Sequence, residues 1–451
     1  MRRFLILAAV FVTLSVGLLY VLPRYLKQQE IAAAQADLTL LQTPEPAPAP
    51  GLRDGYAALL LLAYDVPASE HPRLLATYGR GLLDWEHPPA ELQPYRIADI
   101  RYITETAPWR CPGEELAECV ADVRARLLHY QTELAKQQAL LRNVNALADY
   151  ETLSSPFWPD EQQNFANHFI VPMTPIMAAQ TAVISTWAQQ GGAAALPLAC
   201  RQIRTGRLLL QARPGLVYPM LGSAVMRRHI DIAAAILAEQ PALAQQLPAD
   251  CATAFGLLTE QEVSLCRVFK DEFELADNTI HQAYQEMKEP ADQLGLWLPD
   301  NLLDREHTRA RMAPAFSAYC RSEARAKLAQ DQRWPDPEPP SPSLKQRWAC
   351  IGNPAGCNLV AAQALSEYGG DYVRRMQDTQ MRLHALQAAL ALYRLPPAQR
   401  SEAAVAEVLR QHSTPQRPLT WDAAAGRLNF TQYSNRIQQA RYPSYLPVGK
   451  W

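Results

Sequence analysis

The sequence predicts a mainly α protein: an N-terminal transmembrane helix followed by an extracytoplasmic helical-bundle body, with a small C-terminal β-hairpin. Three observations carry this expectation. Residues Phe4 to Leu22 form an apolar run without a charge. The 451-residue chain holds 36 prolines against 19 glycines, a balance suited to helices started and stopped by proline. Apolar residues recur at a period near 3.6 along most of the chain, and period two replaces it only near residues 418 to 433.

The apolar run is nineteen residues long. As a helix rising 1.5 Å per residue it reaches roughly 28 Å, which matches a bilayer core. A secretory signal has a shorter apolar region, about 7–15 residues, with a small-residue cleavage site directly after it. Here Pro23, Arg24, Tyr25 and Lys27 follow instead, an aromatic and basic flank suited to a membrane interface. The A-x-A candidate Ala34-Gln35-Ala36 lies beyond both cations, so residues 1–22 are expected to stay as a signal-anchor. Arg2, Arg3 and the amino terminus outweigh the far flank, where Glu30 offsets one of Arg24 and Lys27. The positive-inside rule then sends the body across the membrane. The expected placement is single-pass in the inner membrane, held through the N-terminal helix, with the body in the periplasm.

Residues 23–50 read as a juxtamembrane helix, rich in helix formers up to Gln42, and then the Pro-rich linker "TPEPAPAP". A helical domain is expected over 51–333. It opens on "GYAALLLLAYDVP", too short to cross a bilayer and read as a buried helix. Val120, Val123, Leu127, Tyr130, Leu134, Leu141, Val144 and Ala148 follow steps of three and four, with Gln137 as the polar interruption. They read as one long bundle helix rather than a partner-binding coiled coil. "HFIVPMTPIMAAQTAVISTWA" is broken by Pro172 and Pro175 and reads as a core helix. Arg201, Arg204 and Arg207 repeat every three residues and read as a solvated helix face. In the next amphipathic segment Val225, Ile232 and Ile236 share a side, and Arg227, Arg228 and His229 cluster elsewhere.

"WPDPEPPSPS", residues 334–343, is a second Pro-rich linker, and 344–451 form the C-terminal helical segment with its hairpin. That segment carries a helix from about Leu359 to Leu395, with a possible break at Gly369-Gly370. Val373, Met376, Leu383, Leu386 and Leu390 lie near one face. Leu419 and Trp421, a turn through Ala424 to Gly426, and Leu428 and Phe430 then read as the hairpin.

Eight cysteines all lie beyond the anchor: Cys111, Cys119, Cys200, Cys251, Cys266, Cys320, Cys350 and Cys357. An even count in an oxidising compartment reads as disulfides. "CPGEELAEC" and "CIGNPAGC" form two local pairs, because the Gly and Pro inside each loop help it turn back. The other four leave three pairings open, of which Cys200 with Cys251 and Cys266 with Cys320 is favoured. No C-x-x-C is present to hold zinc, and no metal is expected.

The helix ending "ALALYRLPPAQR", a second short helix and "TWDAAAGRLNF" resemble the closing segment of proteobacterial envelope proteins, including the tails of type II secretion pseudopilins. This resemblance covers about 80 residues and rests on a loose motif. The pilin class also demands a Gly before its apolar run and a Glu within it, and this chain has neither. The whole chain is similar to uncharacterised single-pass helical envelope proteins of Gram-negative bacteria. That likeness implies an architecture and no activity.

With 48% apolar and 20% charged residues and a net charge of −2, the chain has the composition of an ordinary globular protein and no electrostatic footprint for nucleic acid. Metalloprotease, nucleophile-elbow, phosphate-loop and dinucleotide motifs are all absent from the sequence. No cofactor is expected, and the catalytic residues of any reaction stay unknown. Asp277 and His281 could share a helix face, with Glu286 five residues further on, Glu306-His307 near Asp304 reads as an exposed charged loop or helix start, and Asp271 and Glu272 lack a recognisable partner. The function expected is that of a membrane-anchored periplasmic binding or scaffold protein of an envelope assembly, with envelope proteins as partners. The alternative is an envelope hydrolase with dispersed acid and base residues.

Overall fold

The computed structural model describes the backbone apart from residues 1, 45–48, 84–86, 88, 99–106, 112–114, 157–172, 214, 294–301, 337–341, 363–364, 435–443 and 450–451. Side chains are described apart from those residues and 2–20, 80, 83, 173–174, 283, 287, 289–293, 362, 365–368 and 397. Within these limits the chain is mainly helical, with one small antiparallel sheet near the C-terminus. The helices that frame the two units and the site are α1 (Arg2–Gln42), α2 (Leu116–Ala125), α3 (Leu127–Lys136), α4 (Gln138–Ala146), α5 (Met173–Gln190), α6 (Gly192–Leu210), α7 (Val217–Glu239), α8 (Cys266–Gln293), α9 (Arg305–Ser317) and α10 (Leu365–Arg394).

The expected juxtamembrane helix is the continuation of α1, which runs through Pro23 to Gln42. Among the described residues no helix is long and apolar enough to cross a membrane. The expected anchor falls, up to position 20, on side chains outside that set. Half of the second Pro-rich linker, residues 337–341, also lies outside the described residues.

The described residues gather into two compact units, each assembled from three stretches of chain. The first comprises Met1–Pro46, Leu265–Arg325 and Pro335–Gly370. Its framework is the packing of α1 on α9 and on the short helix Leu344–Ala349. Ile31, Ala34, Leu38 and Leu41, spaced by three and four, are buried on one side of α1. Phe269 and Phe273 of α8 meet Phe316 at 6.4 and 5.5 Å between ring centroids, and Phe269 stacks on Tyr319 at 3.6 Å. Gly369 completes this aromatic cluster, since a Cβ there would lie 2.6 Å from the Tyr319 hydroxyl oxygen. The Gly369-Gly370 pair therefore does not break α10; the pair is helical and serves a close approach instead.

The second unit comprises Ala47–Ser264, Ala326–Trp334 and Asp371–Trp451. Helices α6 and α7 form its most extensive contact. They cross where Gly206 faces Gly222: a Cβ on Gly222 would lie 2.5 Å from the Gly206 carbonyl oxygen and 2.9 Å from the Leu210 nitrogen. One end of this pair packs on the apolar segment Tyr56 to Tyr64, every residue of which is buried. Only Tyr56–Leu60 of that segment is helical, so the expected buried helix is a single turn followed by buried turns. Each leucine buried there contributes about 1.5–3 kcal/mol.

The stripe between Val120 and Ala148 is not one helix. It is divided into α2, α3 and α4 at Arg126 and at Gln137, and Gln137 is the one polar residue in the stripe. The stripe still faces inward, with Val123, Tyr130, Leu134, Val144 and Ala148 buried. In α10, Val373, Met376, Leu383, Leu386 and Leu390 are all buried, as their spacing requires. The hairpin pairs β1 (Thr420–Asp422) with β2 (Arg427–Asn429), placing Trp421 opposite Leu428. A third strand, β3 (Tyr445–Pro447), adds to β2 with Leu446 opposite Leu428, so the expected hairpin is a three-stranded sheet in the order β1-β2-β3. Gly426 closes the turn at φ +62°, a conformation that favours glycine, while Asp422 Oδ1 accepts the Ala425 N–H.

Candidate functional site

Three helix faces and one end of the sheet surround a cleft of about 1030 Å³ in the second unit. Each helix contributes residues at helical spacing. From α7 come Arg228, Asp231, Ile232, Ala235 and Glu239, from α5 come Gln180, Ile184 and Trp187, and from α2 come Ala117, Val120 and Arg124. The sheet adds Gly426, Arg427 and Tyr445. The lining is thus an apolar surface interrupted by charges of both signs.

Most of those charges are matched. Arg124 donates to Glu239 at 2.7 Å and lies over the Trp187 ring at 4.8 Å from its centroid. Asp231 is engaged by the buried guanidinium of Arg382. Burial raises the Asp231 carboxyl above its ordinary value, against the opposing pull of Arg382 and Arg227. Arg228 differs. Its Nη1 donates to the neutral Gln180 Oε1 at 2.9 Å, and its Nε is buried without a partner. The indole N–H of Trp187 is likewise buried and unpartnered, with Trp187 only 5% exposed. Arg427 is exposed and stacks on Tyr445 at 4.0 Å. Among the described residues neither Arg228 nor Arg427 has a carboxylate within ion-pair distance.

The other residues singled out by sequence have structural surroundings. Cys111 pairs with Cys119 and Cys350 with Cys357, at Cα separations of 5.3 and 5.8 Å. Cys200 pairs with Cys251 and Cys266 with Cys320, at 4.9 and 4.5 Å, and no cysteine is left free. Arg201, Arg204 and Arg207 do not form a solvated face. Arg201 is tied to Asp149, Arg204 to Asp250, and Arg207 to Glu262 with further bonds to the carbonyls of Gly256 and Leu257. The stripe ties α6 to Asp149 and to the segment that follows α7.

In the first unit, Asp277 is 1% exposed and receives Arg305 and Arg309 of α9 at 2.6 Å each, while Glu286 accepts from Gln282. Asp277 is thus satisfied by guanidiniums rather than by His281. The start of α9 is not an exposed charged end either. Asp304 caps it by accepting the His307 N–H, and His307 is fully buried, with Nε2 2.8 Å from Glu30 Oε2 and Nδ1 3.2 Å from Asn353 Nδ2. Burial lowers the His307 pKa, with Glu30 opposing. Asp271 is buried, and neither it nor Glu272 is free of partners. On α7, Arg227 and His229 are buried, and only Arg228 of that trio lines the cleft. Among the described residues no group of His, Cys, Asp and Glu is arranged to hold a metal.

Arg124, Gln180, Trp187, Asp231, Arg427 and Tyr445 were not singled out by sequence. The available signal was the recurrence of Arg228, Asp231, Ala235 and Glu239 on one side of a helix whose other sides are apolar. No protein-family model, curated protein or solved structure matches this chain.

Proposed function

We propose that this chain is a membrane-anchored periplasmic binding or scaffold protein of an envelope assembly, held in the inner membrane by residues 1–22, with the cleft of its second unit as the recognition site. The cleft is the observation that carries the reading. It has the volume of a small-molecule or peptide-end site, mostly apolar walls, and a few donors and acceptors placed at helical spacing to fix orientation. Four disulfide pairs support an oxidising compartment. The apolar run with its charge asymmetry supports the anchor.

A second reading, an envelope hydrolase, is favoured by one feature: the burial-raised carboxyl of Asp231 in the cleft, the property of a general acid. Its engagement by Arg382 weighs toward a positioning role for the pair. Two measurements test the proposal together. Alkaline phosphatase fused after Trp451 should be active and fractionate with the inner membrane. A photocrosslinker at Ala117, exposed at the edge of the cleft, should capture a ligand or envelope partner that a crosslinker at the exposed Leu128 does not. A soluble or inactive fusion defeats the placement, and identical capture from both positions defeats the cleft.

A further inference from the structure

We propose that the cleft takes an anionic amphiphile, a molecule with one carboxylate or phosphate joined to an apolar chain, and that Arg228 binds the anion. This rests on the reading of the cleft as a binding site. The charge inventory decides the sign of the ligand. Of the six charged residues in the lining, Arg124 and Glu239 neutralise each other, and Asp231 is neutralised by Arg382. Arg228, which acts on Asp231 only through space, and Arg427 have no carboxylate at ion-pair distance among the described residues, against Glu115 as the lining carboxylate without an ion pair.

The guanidinium of Arg228 decides the group: it lines the cleft and spends Nη1 on the neutral Gln180 amide, whereas its Nε and the Trp187 indole N–H are closed off from the open volume. A guanidinium fork matches the paired oxygens of a carboxylate or phosphate. Val120, Ile184, Ile232 and Ala235 supply the apolar surface for the rest of the ligand. Sugar recognition fits less well. The two aromatic rings of the lining, Trp187 and Tyr445, each already carry a guanidinium, from Arg124 at 4.8 Å and Arg427 at 4.0 Å. A cationic ligand would meet two arginines that have no carboxylate at ion-pair distance among the described residues.

The test uses the full chain in nanodiscs of a zwitterionic lipid, titrated calorimetrically with octyl phosphate, octanoate, 1-octanol and inorganic phosphate, with empty-disc heats subtracted. Both anionic amphiphiles should bind at least tenfold more tightly than octanol and than inorganic phosphate. Arg228→Gln should lose about tenfold for the anionic amphiphiles and nothing for octanol, and Ala235→Trp should abolish binding of all four. Arg427→Gln, at an exposed site, repeats the charge test if the Arg228 variant fails to fold. Anionic lipid in the disc distinguishes the source: competition with octyl phosphate assigns the ligand to the membrane, and its absence to a free amphiphile. Equal affinity for octanol and octanoate, with both lost in Ala235→Trp, overturns the anion assignment and leaves the cleft standing. Binding unchanged by Ala235→Trp, or no binding by any probe, overturns the cleft itself.

Discussion

The guanidinium of Arg417 is fully buried and donates at 2.8 Å to Asp378 Oδ1, a carboxylate that also collects the backbone N–H groups of Tyr433 and Ser434. A second carboxylate, Asp331, meets the same guanidinium in a bidentate pair, and the Tyr433 ring covers it at 4.1 Å. Asp331 holds φ at 53°, which an unbranched polar residue tolerates best. The cluster joins the loop at 331, helix α10 and the chain flanking the sheet. Replacing Arg417 by Met leaves two buried carboxylates without their cation. The expected cost is about 3–5 kcal/mol in urea unfolding, with no rescue by Lys, whose single ammonium cannot form the fork. A loss below about 1 kcal/mol would contradict this account.

A pH dependence follows from His229. Its Nδ1 is 2.8 Å from the Val225 carbonyl oxygen, its Nε2 is buried without a partner, and burial pushes its pKa down to about 4. The unfolded chain binds this proton near pH 6.5 and the folded chain only near 4. The neutral-state stability is therefore fully present above pH 6.5 and is lost as pH falls toward 4. The shift corresponds to about 3 kcal/mol. His307 and His384 are lowered in the same direction by burial, so they add to the slope. Unfolding free energy measured from pH 7 to 4 should fall steeply, and His229→Leu should flatten part of that fall. An unchanged slope in the variant would remove His229 from the account.

The helical class, the inward stripes and the β1–β2 hairpin were legible because each depends on local periodicity. Trp421 and Leu428 alternate within ten residues, and Leu383, Leu386 and Leu390 repeat within three turns. Strand β3 was not legible, because three residues are too few to display a period and lie well beyond the hairpin they join. The cleft was illegible for another reason. Arg228 and Trp187 belong to different helices, and their common surroundings arise from packing rather than from spacing along the chain. The burial of His307 also lay beyond sequence, since its partner Glu30 is 277 residues away.

The helix crossing at Gly206 and Gly222 makes a third prediction. A Cβ at Gly222 meets backbone atoms of α6, and one at Gly206 meets the Met226 Cγ and the Gly222 carbonyl oxygen. Backbone cannot step aside as a side-chain tip can. Although alanine improves helix propensity by about 0.8–1.0 kcal/mol, the steric term outweighs it. Gly222→Ala should destabilise the second unit by about 2 kcal/mol or more, read by denaturant midpoint at unchanged m-value. An increase in stability would show that α6 and α7 are farther apart than described.

The last prediction concerns the docking of α1 within the first unit. Glu30 Oε2 lies 2.8 Å from His307 Nε2 and 3.0 Å from Arg311 Nη1, while Lys27 reaches Asp304 at 2.5 Å and Asp37 accepts from Ser317 and Arg321. These polar contacts flank the buried stripe of Ile31, Ala34, Leu38 and Leu41, which supplies most of the adhesion. Glu30→Ala leaves the Arg311 charge and a buried His307 N–H without their acceptor, at a cost of about 2 kcal/mol. The local equilibrium then shifts toward undocking of residues 23–42, so amide exchange across that stretch should speed up by about 30-fold. It should also lower the His307 pKa further, because Glu30 is the group that opposes burial there. Gln28→Ala, at an exposed position on the same helix, should change neither readout. Unchanged exchange in the Glu30 variant would assign the docking to the apolar stripe alone.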